Sequence, residues 1–577
     1  MKCIIKHKNL IISIIVPFIW IFLISITCGI YFETNDDRLF SEIFSGAMTG
    51  TPEFRSYYIH PLLGLIITFF YRITTAVPWY GLLLILFQWI CHAVFTFAVL
   101  NYYESPKNKF VASVWTISYY AICFTFIAHI QFTSTAALLA ITGYLYLFLT
   151  NSSLTQPTQM HARDISLPTH SLQIFFVLQL LSYFLRSDSM LMIQPYGVAM
   201  LAALSLCAWI KTHSCFFIKY FCKVLLGILL IIFLGKATHY LFHHDSGWKE
   251  YEKINQGVTE ITDYSHIPEY EDVQSILKKY DVTEKQYLAF FQYAMIEPNL
   301  SGDCLLEVAE YARNTYHTPS LSQVVSELMT SFTNSEYFGI GKLAIFIWIF
   351  ALLYAILSRS FPVLLTLIFL AGSRTFIWSY LLYRGRTPFR VIFPLWVIEL
   401  LFIMVILFTL PTKRSKITSI LQICILYISL FGSVVIFTNQ YTTIKPQNVS
   451  DSLYNSGYID LIEYCDKNSS NRYFLDAGIL LYYRGNAYTA KPFHPRNSLI
   501  TGCWYSGAPV LYKRIAEYAP PDTDIHLIVS PDLPIQKEAV LNYFEEWRNT
   551  TAIYEESFTV SNGGIYEVYG LYSSNIP

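Results

Sequence analysis

Residues 10–32 read LIISIIVPFIWIFLISITCGIYF, and residues 33–38, directly after them, read ETNDDR. The first stretch carries no charge and, at about 1.5 Å per helical residue, is long enough to cross a hydrocarbon core of about 30 Å. The second sets Glu33, Asp36 and Asp37 where such a helix would leave the membrane. Lys2, Lys6 and Lys8 precede the apolar run, as basic residues precede a signal peptide. The run is longer than an h-region of about 7–15 residues, however, and Cys28-Gly29-Ile30 is a poor small-x-small cleavage site. It reads as a retained first transmembrane helix.

Composition extends that reading to the whole chain. Of 577 residues, 54% are hydrophobic and 14% charged, against about 25% charged in soluble domains. A formal net charge of -1 leaves no basic surface for a nucleic-acid partner. Further apolar runs recur at 79–103, 109–128, 134–150, 171–186, 189–210, 215–242, 337–358, 360–381, 391–411 and 417–438. With the first, they imply a polytopic α-helical membrane protein of about eleven transmembrane helices. Most cysteines fall in or beside these runs, and no CxxC or Cys/His metal spacing appears. Cys465 and Cys503 are the two placed to form a disulfide.

Charge sets the orientation and decides the ambiguous stretch 59–77. With the N-terminus cytoplasmic and 59–77 lying along the outer surface or re-entrant, the basic loops fall inside. These carry Lys107 and Lys109, Arg163, Lys211, Lys219 and Lys223, Arg359, and Lys413, Arg414 and Lys416. Making 59–77 a full span inverts most of that pattern. The expected domains are therefore a membrane domain over 1–438 and a small extracytoplasmic α/β domain over 439–577. The membrane domain carries a first outer loop at 33–78 and a large outer loop at 244–336. That large loop holds 16 Asp and Glu against 6 Lys and Arg, with helix-like runs. The tail mixes strand-like stretches (472–475 and 524–529) with a helical one (535–547), the alternation expected of a small α/β fold. The resulting expectation is a multi-pass plasma-membrane protein, embedded in the lipid bilayer, with its C-terminal domain outside.

One basic cluster breaks the inside bias. Tyr383-Arg384-Gly385-Arg386-Thr387-Pro388-Phe389-Arg390 faces outward between two spans, with Arg374 about three helical turns earlier. An anionic ligand explains guanidinium groups there, because they grip phosphate oxygens in a bidentate fork. Gly385 and Pro388 would fix the turn that presents them. Arg186 and Asp188 form a second outward corner. The plainer readings are snorkelling to lipid headgroups for Arg384 and Arg386, and a structural ion pair for Arg186 with Asp188. Gln88 and His92 read as an interhelical hydrogen bond.

In the first outer loop, either acid of the pair would serve as a helix N-cap. A cap needs one acid, though, and the loop continues with Thr49-Gly50-Thr51-Pro52 and then Tyr57-Tyr58-Ile59-His60-Pro61-Leu62. A carboxylate pair at the membrane surface, beside aromatic and polar groups held by a Pro-initiated helix, suits a pocket for a sugar. It is also placed to deprotonate a hydroxyl or hold a metal.

At these residues the chain resembles the GT-C-fold glycosyltransferases that use polyprenyl-phosphate sugars, a group that includes protein O-mannosyltransferases and aminoarabinose transferases. Those enzymes show Asp-Glu after the first helix and Pro-Pro-Leu-aromatic at the start of a juxtamembrane helix. The counterparts here are Asp36-Asp37 and His60-Pro61-Leu62. The Tyr383-to-Arg390 stretch is similar to the late arginine-bearing loop of the family. The resemblance implies a GT-C-like fold and transfer of a sugar from a polyprenyl-phosphate-linked donor to a glycan, lipid or protein acceptor. It implies Asp36 as base with Asp37 assisting, and Arg374, Arg384, Arg386 and Arg390 around the lipid phosphate. Tyr58, His60 and Arg186 complete the expected substrate-binding set. The chain departs from the pattern at Asp37 and His60, and the turn after the third span offers His129 and Gln131 but no carboxylate. A divalent metal is thus left without an identifiable ligand set. The other classes compatible with the layout are an envelope polysaccharide polymerase or ligase and a non-enzymatic flippase or transporter of lipid-linked sugars. An acid-rich large loop argues against the first, and the lack of an internal repeat against the second. A non-catalytic membrane scaffold also fits large outer domains.

Overall fold

The computed structural model describes residues 2–103, 109–151, 154, 169–295, 300–411, 415–480, 483–488, 497–521 and 523–573. Lys107, Arg163, Lys413 and Arg414, used above to orient the chain, lie outside the described residues. The chain divides into two compact units. One comprises Met1–Ile30, Leu83–Thr238 and Thr318–Pro446; the other comprises Tyr31–Leu82, His239–His317 and Gln447–Pro577.

The first unit is helical. Among the described residues of the whole chain, nine helices are long and apolar enough to cross a membrane, as in a polytopic helical membrane protein. The two remaining expected spans are shorter. Thr169–Leu185 has 17 residues, at the lower limit for a span. The run at 109–128 is divided into Lys109–Ile122 and the single turn Phe124–Ala128, with Cys123 between them. Hydropathy reports apolarity and is blind to such a break.

Phe132–Thr150 forms the centre of this unit, buried from Phe132 to Leu149. It packs against Thr169–Leu185, Ser187–Thr212 and Phe389–Thr409. Gly197 permits the closest approach, since a Cβ there would sit 2.1 Å from the Tyr144 ring. Several polar side chains inside the bundle bond to one another. Tyr144 donates to Gln194 Oε1 at 2.7 Å, Gln194 to Gln179 Oε1 at 3.0 Å, and Gln179 to the Ala140 carbonyl at 3.0 Å. Gln88 donates to Thr135 Oγ1 at 2.9 Å, linking Trp79–Tyr102 to the central helix. Where lipid offers no partner, such bonds have to be made within the protein.

The second unit assembles the three polar stretches of the sequence around one sheet. Its strands are β1 (Tyr473–Leu475), β2 (Ser498–Ile500), β3 (Ile525–Val529), β4 (Thr550–Thr559) and β5 (Ile565–Ser573), in the order β2-β1-β3-β5-β4. β1 runs parallel to both neighbours, pairing Phe474 with Leu499 on one side and with Leu527 on the other. β5 is antiparallel to β3 and forms a hairpin with β4, bulged between Tyr554 and Glu556. Helices Pro509–Tyr518 and Pro534–Arg548 make the connections after β2 and β3. The core draws on all three stretches: Leu39 and Ile43 from the first, Trp248, Tyr251 and Leu305 from the second, and Phe474, Tyr505, Leu527 and Phe544 from the third.

Two boundaries differ from the sequence reading. The last apolar helix, expected to end near 438, is followed by helical structure as far as Lys467, within a 52-residue stretch from Lys416 that includes Pro446. The polar residues past 438 keep helical structure because loss of apolarity does not itself end a helix. Within 59–77, the helix is Pro61–Ile73, whose 13 residues span about 20 Å, short of a hydrocarbon core. Cys465 and Cys503, the candidate pair, are both free thiols.

Candidate functional site

A cavity of about 190 Å³ lies within the second unit, lined by Asp36, Arg38 and Glu42 from the first outer stretch, Tyr293 from the second, and Gly478 and Trp504 from the third, among others. It opens at the carboxyl ends of the parallel strands. Gly478 follows β1, Gly502-Cys503-Trp504 follows β2, and Gln536 lies in the first turn of the helix after β3. β1 connects toward β2 on one side, while β3 connects toward the hairpin on the other. Adjacent strands whose connections diverge leave a crevice at their carboxyl ends, the general ligand position of open α/β sheets. At this volume it suits a ligand of single-ring size, smaller than the roughly 300–1,000 Å³ of drug-sized pockets.

The acids reach this cavity on helix Asn35–Ser45, whose N-cap is Thr34, so neither Asp36 nor Asp37 is the cap. Both stand in the first turn, where the helix dipole favours negative charge. Successive positions point about 100° apart, and the pair accordingly divides. Asp37 is fully buried and accepts the Tyr80 hydroxyl at 2.8 Å. Asp36 is half-buried and lines the cavity. Arg38 and Glu42, one turn apart on the same helix, form a buried pair at 2.9 Å, with the guanidinium 5.2 Å from the centre of the Tyr483 ring. Burial pushes the Glu42 carboxyl upward, and Arg38 draws it back down.

Part of the lining is aromatic. Trp504 packs on Phe40 at 5.0 Å and on Tyr58 at 5.3 Å between ring centroids, and its indole Nε1 is buried without a hydrogen-bond partner among the described residues. Tyr293 holds a left-handed backbone at φ 55, which is costly for a bulky residue. Its carbonyl accepts from Thr501 Oγ1 at 3.2 Å and lies 2.2 Å from where a Cβ at position 502 would fall, so Gly502 is required for this approach. The Tyr293 hydroxyl is pushed up to about 12 by burial and then by the Asp36 charge. Burial likewise pushes the Cys503 thiol up to about 12, which leaves it protonated and a poor nucleophile. Asp476, just after β1, is buried and accepts from Gly478 N at 2.8 Å and Gln536 Nε2 at 3.1 Å. Its own carboxyl is raised by burial.

The other residues singled out from the sequence stand elsewhere. Tyr58 supports Trp504 from behind. His60 caps Pro61–Ile73, its Nδ1 accepting from Leu62 N at 3.3 Å. The five arginines belong to the helical unit. Arg186 pairs with Asp188 at 3.2 Å, the structural alternative raised for that corner. Arg374 is buried against Glu399, which also accepts the Trp348 indole N–H, and its guanidinium lies 4.3–4.8 Å from the ring centres of Phe332, Trp378 and Trp396. This charge is accounted for inside the bundle. Arg384 and Arg386 flank Gly385, whose φ of 64 completes the turn after Phe361–Tyr383, and Arg390 is the second residue of the following helix.

Sequence reasoning found Asp36 but missed Trp504, Tyr293 and the Arg38–Glu42 pair. The spacing of Arg38 and Glu42 is an ordinary one-turn pair, and Gly502-Cys503-Trp504-Tyr505-Ser506-Gly507 is a glycine-bracketed aromatic turn after a strand. Both signals were present without a tertiary frame to give them meaning. A second group, His239, His243 and Glu252, is the cluster among the described residues whose donor atoms gather closely enough for a metal ion. No known family, curated protein or solved structure matches the chain.

Proposed function

We propose that this protein is a membrane glycosyltransferase that moves a sugar from a polyprenyl-phosphate donor to an acceptor on the outer face of the membrane. The observation that carries the reading is the division of the acid pair: Asp37 accepts the Tyr80 hydroxyl, and Asp36 borders a ring-sized cavity whose lining also includes Trp504. A carboxylate and an indole lining one cavity suit recognition of a sugar, because the ring's apolar face stacks on indole while its hydroxyls need acceptors.

In this reading Asp36 takes the proton of an acceptor hydroxyl as that oxygen bonds to the anomeric carbon. The bond from that carbon to the phosphate oxygen breaks, and the polyprenyl phosphate leaves with the electron pair, inverting the anomeric centre. General-base assistance of this kind contributes about 10²–10⁴-fold in rate. Arg384 and Arg386 are assigned to the lipid phosphate on residue type and on their place after a span, and stabilisation of the departing anion is their role. The nine apolar helices support a membrane-borne donor.

The test incubates the purified chain with a polyprenyl-phosphate sugar and follows release of polyprenyl phosphate together with labelled product. Release that depends on acceptor supports transfer. Movement of intact donor across a vesicle membrane without bond cleavage would replace this reading with a flippase.

A further inference from the structure

The end of the apolar helix Phe216–Phe242 carries His239, and the residues after it read His243-His244-Asp245. His243 N still bonds back to the His239 carbonyl at 3.2 Å, so the helical turn persists and the two imidazoles share a face. Their rings stack at 4.2 Å between centroids. Asp245 then caps the helix Ser246–Tyr264 through Trp248 N at 3.0 Å, and the reversal brings Glu252 back against the pair. Glu252 Oε1 lies 2.8 Å from His239 Nε2 and 3.9 Å from His243 Nδ1. All three residues belong to the second unit.

A His–Glu hydrogen bond would account for His239 alone. It does not account for His243, whose side chain is 1% exposed. Its Nδ1 faces the His239 carbonyl at 3.1 Å, which fixes the proton there and leaves the lone pair on Nε2. That Nε2 is buried and has no hydrogen-bond partner among the described residues. An imidazole nitrogen buried without a partner is costly, and an explanation is due for each one in a folded protein. A ring whose Nδ1–H is held by a carbonyl is also the usual arrangement of a metal-ligating histidine.

We infer that His239, His243 and Glu252 bind a divalent transition metal of the zinc class. Two imidazoles and one carboxylate form a donor set suited to zinc, and three protein ligands leave a further position open to water or an exogenous oxygen. The site is separate from the Asp36 cavity, and its existence does not depend on the transferase reading. His60, 6.0 Å from His239 between ring centroids, stands beside the group while its Nδ1 is engaged in capping.

The full chain, purified in detergent without a polyhistidine tag and stripped by chelator, tests this with zinc ion alone. The expected result is uptake of one equivalent per chain. Cobalt in its place should give the intense visible absorption of a four-coordinate site. Glu252→Gln keeps the shape of the side chain and a hydrogen bond to His239 while removing the charge, and it should weaken zinc at least ten-fold. His243→Ala should abolish stoichiometric uptake. His244→Ala, which alters an exposed neighbour whose Nδ1 bonds to the Leu241 carbonyl, should bind as the parent does. Failure of the folded parent chain to retain zinc, or equal zinc affinity in Glu252→Gln and the parent, overturns the assignment. Transfer activity is not read in any arm, so a failed transferase assay leaves the metal result standing.

Discussion

Buried charge is handled in opposite ways in the two units. In the helical unit, Arg374 and Glu399 consume each other, and the Trp348 indole and three aromatic rings complete the enclosure. The Tyr144–Gln194–Gln179 chain behaves likewise, each group answering the next. In the second unit, Asp36 and the buried Arg38–Glu42 pair border open volume at the carboxyl ends of a sheet. In these two cases the polar groups of the bundle close on one another. Groups of the same kind in the second unit stand beside open volume. Charge in a membrane protein therefore points to function when it borders space, and to architecture when it borders its complement.

That contrast is sharpest between neighbours. Asp36→Asn is expected to lower transfer by about 10²–10⁴-fold, with membrane insertion and melting temperature unchanged. Asp37→Asn keeps an oxygen for the Tyr80 hydroxyl and should fall by less than ten-fold. Equal losses in the two variants would erase the division of the pair. The next largest effect belongs to the helical unit. Glu399→Ala leaves Arg374 buried and uncompensated, at a cost of about 3–5 kcal/mol, visible as loss of monodisperse protein on size-exclusion chromatography and a lower melting temperature. Replacing both partners with Arg374→Met and Glu399→Leu should restore most of that stability, which a substrate-binding arginine would not allow without loss of turnover.

Gly502→Ala tests the cavity wall. Its Cβ would fall 2.2 Å from the Tyr293 carbonyl, and overpacking of this kind costs about 1–3 kcal/mol. A raised KM for the donor should accompany the lower melting temperature. Tyr80→Phe removes the hydroxyl that anchors Asp37 and should cost about 1.5–3 kcal/mol in thermal unfolding, as for a hydrogen bond to a charged group, with kcat within a few-fold of the parent.

The smallest effect is a pH dependence at Asp476. Burial raises this carboxyl in the folded state above the ordinary aspartate value of 3.8. The folded form therefore binds the proton more tightly than the unfolded one, and stability falls as pH rises through the folded value. Lowering the pH from neutrality toward 3.8 should recover that stability in the parent chain. Asp476→Asn keeps the acceptor for Gly478 N and Gln536 and should lack this component of the melting-temperature profile.

The apolar runs were legible because length and hydropathy are local properties. The strand-like stretches at 472–475 and 524–529 fall on β1 and β3, and the helical one on Pro534–Arg548, for the same reason. What hydropathy could not read was structure that ignores polarity. One span is interrupted at Cys123, and the final helix runs on through polar sequence to Lys467. The gathering of three separated polar stretches around one sheet depends on tertiary packing, with Leu39, Trp248 and Phe474 in a common core. Asp36 was legible as an acid placed just after a span. Its difference from Asp37 was not, since that rests on which side of a helix faces Tyr80. The four-residue spacing of His239 and His243 was on the page as well, but Glu252 joins them only after a chain reversal.

The central claim is that the space beside Asp36 receives a sugar. A structure of the full chain with a non-hydrolysable polyprenyl-phosphate sugar analogue addresses it directly. The sugar ring is expected against Trp504 with its anomeric carbon on the Asp36 side of the cavity. A well-defined analogue bound elsewhere, with that cavity unchanged, would contradict it.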